Sequence, residues 1–262
     1  MVEIDNVRLE TRVVPGDAAK PWLVFLHEGL GSVSLWRDFP DRLARRLGSR
    51  ALLYSRRGYG QSDPLGVADH RREPDFMHRE ALDVLPALLD HFAIQRPLLI
   101  GHSDGASIAL IHAATHDVAG AVLMAPHVLV EDVSVTSIEK ISRLYETTDL
   151  RGRLARHHTH VDDAFLGWSR IWRDPRFRDW SLLPEAARVT SPLLLIQGRD
   201  DEYGTLAQID AIAGAVKGPV ERLVLDASGH APHRDQEAVV IEAIARFARD
   251  RNLADDGPNT SA

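Results

Sequence analysis

Pro97-Leu98-Leu99-Ile100-Gly101-His102-Ser103-Asp104-Gly105-Ala106-Ser107-Ile108-Ala109-Leu110 joins a short apolar run to a stretch of small residues through the five residues Gly101-His102-Ser103-Asp104-Gly105. A bare G-x-S-x-G pattern recurs by chance. Between a strand and a helix it describes a sharp turn, in which larger side chains at Gly101 and Gly105 would strike neighbouring backbone and the serine is held strained, its hydroxyl above a sheet. The helix that follows points its N-terminus at that hydroxyl, where a developing negative charge is favoured. The bland reading of the same residues is a strand-to-helix turn with a capping serine.

On either side of this turn, compact apolar runs alternate with longer amphipathic stretches. The runs are Trp22–Leu26, Ala51–Tyr54, Pro97–Ile100, Ala121–Met124, Pro192–Ile196 and Val220–Leu225. Most lack polar alternation, which is how strands buried on both faces read, and this implies a mostly parallel sheet with helices on each side. Helical spacing is expected over Leu35–Leu47, His78–Phe92 (despite Pro86), Ala106–Ala114 and Asp235–Ala248, the last with Val239, Val240, Ile244 and Phe247 facing inward. The chain is therefore expected to be an α/β protein. From His127 to Leu183 no convincing strand occurs, and Phe165, Trp168, Trp172, Phe177 and Trp180 crowd one segment. Residues 127–186 are expected to form a helical cap over a core of 1–126 and 187–250, with the aromatic side chains roofing a pocket. Ordinary surface helices are the alternative. The polar tail 251–262 is expected to fray.

The turn at Ser103 and several other segments resemble the α/β-hydrolase superfamily, over Trp22 to roughly Ala248. His27-Glu28-Gly29-Leu30-Gly31 is similar to its oxyanion-loop motif, and Ser55-Arg56-Arg57-Gly58-Tyr59-Gly60-Gln61-Ser62 to its R-G-x-G-x-S turn. Gly198-Arg199-Asp200-Asp201 is similar to its acid turn and Gly229-His230 to its histidine loop. The order serine, acid, histidine is that of the superfamily.

The resemblance implies a serine hydrolase with Ser103 as nucleophile, since a serine hydroxyl is a poor nucleophile until a base takes its proton. Of thirteen histidines, His230 follows a strand and precedes the last helix, the place the superfamily demands. His233 is its rival. His102, the elbow neighbour, is expected to pack, and His27 to stabilise the oxyanion loop. Asp201 is the acid the family spacing selects, with Asp200 the alternative. The family pattern places the oxyanion donors at the backbone N–H groups of Gly29 and Asp104, each of which typically supplies about 2.7–4 kcal/mol in such enzymes. Glu28 stands where the commonest motif has glycine, which leaves the register open by one residue. Its carboxylate either faces the pocket or pairs with an arginine such as Arg57. Trp168 and Trp172 are the other candidate pocket residues.

Composition bounds the rest. Acidic residues outnumber basic ones by 38 to 31, giving a formal charge of −7 without a concentrated basic face, which argues against a nucleic-acid partner. There is no cysteine, which excludes disulfides and thiolate chemistry. The start Met1-Val2-Glu3-Ile4-Asp5 lacks a signal-peptide pattern, and no apolar run approaches the roughly 18 residues that span a bilayer. A cytoplasmic monomer or weak homo-oligomer without membrane partners is expected. His157-His158-Thr159-His160 is read as a rim or solvated cluster rather than a metal site, Gly29-Leu30-Gly31 lacks a P-loop lysine, and Asn259-Thr260-Ser261 carries no weight without a secretion signal. The expected function is cofactor-free, metal-free cleavage of a small or medium ester, thioester or lactone with an apolar acyl group. Carbon–carbon bond hydrolysis on the same triad and a ligand receptor on a hydrolase fold are the alternatives.

Overall fold

The computed structural model describes residues 1–66 and 70–251, so the expected frayed tail, apart from Arg251, lies outside the described residues. Among the described residues nine strands occur in chain order: β1 (Val2–Ile4), β2 (Val7–Leu9), β3 (Thr11–Val14), β4 (Leu23–Leu26), β5 (Ala51–Tyr54), β6 (Leu98–His102), β7 (Gly120–Met124), β8 (Leu193–Gly198) and β9 (Val220–Leu225). β1 and β2 form a separate hairpin, and the other seven make one sheet in the order β3-β5-β4-β6-β7-β8-β9. Within it only the β3–β5 pairing is antiparallel.

Alternate residues of the central strands enter different cores, and both cores are apolar. Val24, Leu26, Leu99, Leu123 and Leu195 join one, with the helix Asp104–Ala113 and the helical segment containing Phe165 and Trp172. Leu23, Phe25, Ile100, Val122 and Ile196 join the other, with the helices Phe39–Leu47 and Glu237–Asp250. This two-sided burial is why these strands read as unbroken apolar runs. β9 is the exception: it lies at the sheet edge and most of its residues stay half-buried.

Three strands escape the apolar-run reading. β1 and β2 are three residues each and each buries only its last residue. They turn through Asp5 and Asn6 at φ 49° and 62°, the left-handed pair that a tight two-residue hairpin needs. β3 pairs antiparallel at the other sheet edge and exposes Val13.

The helices differ in detail from the expected spans. Leu35 lies in a 3₁₀ turn, Val33–Trp36, and the α-helix begins at Phe39. Around Pro86 the helix continues from Phe76–Arg79 through a π-turn at Glu80–Val84 into Leu85–His91, and the Leu85 N–H bonds back to the Glu80 carbonyl. A wider turn accommodates a proline that has no N–H to give. In the last helix Ile241 is buried with Val240, Ile244 and Phe247, whereas Val239 is 47% exposed, which corrects its inward assignment by one position.

Between β7 and β8 the segment forms the helices Asp132–Thr147, Leu150–Leu154, Val161–Trp172 and Leu183–Ala186, tied back by a bridge between Leu129 and Ser181. Of the five aromatics expected to roof a pocket, only Trp168 and Trp172 line the cavity. Phe165 stacks on Tyr145, and Phe177 stacks on Trp180, so these rings pack within the segment itself.

Candidate active site

Chain direction reverses across the sheet between β4 and β6: β4 leads outward to β5, and β6 leads the other way to β7. Such a switch point opens a crevice at the carboxyl ends of the strands. The loops after β4, β6, β7, β8 and β9 meet there and line a cavity of about 530 Å³.

Ser103 follows β6 with φ 53° and ψ −120°, and the helix Asp104–Ala113 starts at the next residue. A left-handed conformation at a non-glycine residue is strained and persists only where the surroundings fix it. A Cβ on Gly105 would overlap the Leu26 carbonyl, and one on Gly101 would overlap Ala106. Glycine at both positions is therefore a steric requirement of the turn.

The Ser103 hydroxyl donates to His230 Nε2 at 2.9 Å, and His230 Nδ1–H faces both oxygens of Asp201, each at 2.9 Å. Asp201 Oδ1 also accepts from the backbone N–H groups of Tyr203 at 2.7 Å and Gly204 at 3.1 Å, while Oδ2 accepts from Gln197 Nε2 at 2.6 Å. Burial pushes the Asp201 carboxyl up, but the bond and charge of His230 and the Tyr203 N–H together hold it below the usual range. Of the two acid alternatives it is Asp201 that meets His230; Asp200 is exposed and gives its N–H to the Ser228 carbonyl. The rival base His233 sits behind this loop, buried against Trp36 and Phe39 at ring separations of 5.0 and 5.3 Å. His102 does pack, and it also works: its Nε2–H donates to the His230 carbonyl at 2.6 Å.

On the other side of Ser103 the loop His27–Gly31 closes a turn in which the Gly31 N–H bonds the Glu28 carbonyl at 3.0 Å. Among the described residues no protein acceptor meets the N–H of Gly29 or of Asp104. His27 Nδ1–H donates to the Glu28 carbonyl at 2.7 Å, and its Nε2 accepts from the Arg56 N–H at 3.0 Å. Burial, aided by the Arg56 charge, lowers the His27 imidazole well below its ordinary value and keeps it neutral in this role. A Cβ on Gly29 would overlap the Trp168 indole, so the Val161–Trp172 helix rests directly on this loop.

Glu28 does not pair with Arg57, whose Nε donates to the Pro64 carbonyl. Its partners are Arg234, at 3.4 Å, and His102, whose Nδ1 lies 3.5 Å away. Burial raises the Glu28 carboxyl, but His102 and Arg234 more than offset this and hold it well below the usual range. The carboxylate therefore lines the cavity and is paired at the same time. Arg234 is 206 positions away in sequence, which hid it from a reading based on neighbouring residues.

Asp104 also carries a buried side chain. Its Oδ1 accepts from Trp172 Nε1–H at 3.2 Å, and its Oδ2 lies 3.6 Å from the buried Arg56 guanidinium. Burial pushes this carboxyl up, partly countered by Arg56 and Trp172. Sequence reasoning assigned it only a backbone role; a charged residue inside a helix that is otherwise buried and small was the available signal.

The histidines at 157, 158 and 160 part company. His157 bonds the Ser34 hydroxyl. His158 accepts from the Gly60 N–H at 3.0 Å and donates through Nε2 to the Leu30 carbonyl at 3.0 Å, which ties the helical segment to both the glycine turn and the loop His27–Gly31. Among the described residues no group of three or more His, Cys, Asp or Glu could hold a metal ion.

A doubly wound sheet with a strained serine at its switch point, a histidine beside it and a buried carboxylate behind defines the class: an α/β protein with these three side chains in line at one crevice. The chain belongs to the alpha/beta hydrolase family, whose model matches residues 23–243. A proline iminopeptidase of Lactobacillus helveticus is 33% identical over 102 residues, which is 38% of this chain and 33% of that protein. The chain thus aligns with only about a third of that relative's length. Among solved structures, the enol-lactonase of Burkholderia xenovorans LB400 superposes with a TM-score of 0.70 at 23% identity, covering 94% of this chain and 98% of the other. A structure from work on carboxylesterases of Nitrososphaera gargenis reaches 0.74 at 18% identity, covering 95% and 99%. Among the described residues no helix is long and apolar enough to cross a membrane.

Proposed function

We propose that the protein is a serine hydrolase acting on a small or medium carboxylic ester, thioester or lactone through an acyl-enzyme on Ser103. The observation that carries this reading is the continuous chain from the Ser103 hydroxyl through His230 to Asp201 at 2.9 Å per step. His230 takes the hydroxyl proton as Ser103 attacks the acyl carbon. Asp201 holds the Nδ1–H tautomer and balances the imidazolium that forms. The oxyanion is received by the N–H groups of Gly29 and Asp104, which have no protein acceptor of their own. His230 then protonates the leaving group, and water, activated by the same imidazole, releases the acid and restores Ser103. Leu30, Ile138, Trp168 and Trp172 give the cavity apolar walls suited to an acyl group of modest length. None of these steps calls for a cofactor.

A second reading, amide cleavage beside an amine-bearing residue, is favoured by the paired Glu28 and the exposed Glu202 on the cavity wall and by the peptidase names of the matched relatives. Comparing p-nitrophenyl butyrate with proline p-nitroanilide separates the two. A fluorophosphonate probe is expected to label Ser103, with the mass shift mapped to that residue. Steady turnover is expected to vanish in Ser103→Ala while the thermal transition is kept. Labelling elsewhere, or turnover that survives in Ser103→Ala, refutes the reading.

A further inference from the structure

His127 follows β7 at the end of a turn whose Ala125 takes the left-handed φ of 47°. Its backbone is locked to the helix that carries the nucleophile: the Ser107 hydroxyl donates to the His127 carbonyl at 2.6 Å, and the His127 N–H reaches the Ser107 oxygen at 3.2 Å. The imidazole lines the cavity beside Ser103, edge-on to Trp172 with ring centres 4.9 Å apart, and 5.6 Å from the His230 ring. The residue is 3% exposed. Nδ1 is buried without a partner, and no described residue hydrogen-bonds Nε2.

This sets His127 apart from the other histidines around the site. His102 spends one ring nitrogen on a hydrogen bond within the protein, and His27, His158 and His230 spend both. His233 is also unpartnered, but it is sealed against Trp36 and Phe39 and is not on the cavity wall. Burial, with the nearby charges of His230 and His102, lowers the His127 imidazole to about 3, so it is neutral in the working range and offers one N–H and one lone pair. With Nδ1 sealed near Gly204 and without a partner, Nε2 is the ring nitrogen left to meet something that enters the cavity.

We propose that His127 is a substrate-binding residue, and that the substrate carries, a few bonds from the scissile carbonyl, a second oxygen (hydroxyl or keto) that hydrogen-bonds this imidazole. The inference rests on the reading of Ser103 as nucleophile and narrows it from esters in general to oxygenated ones. The apolar walls and the imidazole have complementary tasks: Trp168 and Trp172 accept any short carbon chain, and His127 selects among chains. A site built to hydrogen-bond a substrate oxygen discriminates against the analogue that lacks it, because the protein group is then left unpaired.

The test is a ratio of kcat/KM values within matched pairs. In the acyl arm, p-nitrophenyl 3-hydroxybutyrate is compared with p-nitrophenyl butyrate. In the alcohol arm, 2-hydroxyethyl butyrate is compared with ethyl butyrate. The wild-type protein is expected to favour the oxygenated member in one arm by about tenfold, the worth of one well-made hydrogen bond in a buried site. His127→Leu is expected to bring that ratio close to one, and His127→Gln, which keeps a donor and an acceptor, to restore part of it. No preference in either arm, or a preference that His127→Leu leaves intact, overturns the inference. Failure of the hydrolase reading looks different: turnover would persist in Ser103→Ala. In that event, quenching of tryptophan fluorescence by 3-hydroxybutyrate against butyrate still decides the role of His127, since binding selectivity lost in His127→Leu supports it and selectivity that is absent or retained overturns it.

Discussion

On one side of Ser103, Asp201 and His230 descend from the neighbouring strands β8 and β9, and Asp201 is met by Gln197, Tyr203 and Gly204 from its own strand and loop. On the other side, the loop His27–Gly31 makes one turn of its own and is otherwise held from afar, by Arg56, His158, Trp168 and Arg234. The first, the proton-handling half of the proposed mechanism, is thus a local product of two adjacent strand ends. The second, the oxyanion half of the proposed mechanism, is a product of tertiary closure, in which the helical segment after β7 presses on a glycine loop. The two halves should therefore fail differently: damage to the first removes chemistry and leaves the fold, whereas damage to the second loosens geometry in proportion to the tether lost.

Asp201→Asn tests the first half most severely. It keeps the shape but reverses the tautomer of His230, so kcat for an ester substrate is expected to fall about 10⁴-fold with little change in KM. Acid is expected to strike both halves, through His158 on the second and through His127 beside the His230 ring of the first. His127 and His158 are held at about 3 and about 4 by burial, while their unfolded value is 6.5. A base whose folded value is depressed lends stability above its unfolded value and loses it as pH falls, until the folded value is reached. Between pH 6 and 5 the two together are expected to cost about 3 kcal/mol at most, read as a lower urea midpoint with tryptophan emission as probe. His127→Phe and His158→Phe should each reduce that slope, part of which stays with the other buried histidines, His27, His112 and His233; an unchanged slope would place the acid sensitivity with those alone.

Gly29→Ala puts a methyl group into the Trp168 indole and shifts an oxyanion donor, for an expected loss of about 10²-fold in kcat. Restoring much of that loss with Trp168→Leu would locate the fault in the clash rather than in glycine's flexibility. His158→Leu cuts one tether while leaving both donors in place, and about tenfold is expected, in kcat more than in KM. Glu28→Gln keeps the shape of its contacts with Arg234 and His102, and turnover of a neutral ester is expected to stay within about threefold, the range of a weakened half-buried ion pair. A thousandfold loss instead would make Glu28 a participant in the chemistry and erase the distinction between the halves.

How far the sequence revealed this site follows the same division. The central strands were legible because both of their faces are buried, and the Ser103 turn because its two glycines are dictated by backbone crowding at fixed offsets. His230 and Asp201 could be proposed because each lies a few residues beyond a recognisable run. Val239 was misplaced because a helix edge differs from its inner face by a single step of about 100°. β1 to β3 were missed because half-exposed short strands carry almost no apolar signal. Arg234 and His158 were beyond reach: each meets a partner far away in sequence, and only the packed helical segment and the closed sheet bring them together; His127 gave no signal because its ring has no protein partner at all.

Trp172 donates its indole proton to the carboxylate of the very residue that follows Ser103, and that carboxylate shares its burial with Arg56. Any rearrangement that lifts Trp172 would strand an anion beside Ser103, with one fewer neighbour to steady it. Opening wide enough for a bulky guest would thus carry an electrostatic toll as well as a steric one. Laboratory evolution toward larger guests should accordingly reach positions 104 and 56 soon after it reaches 172.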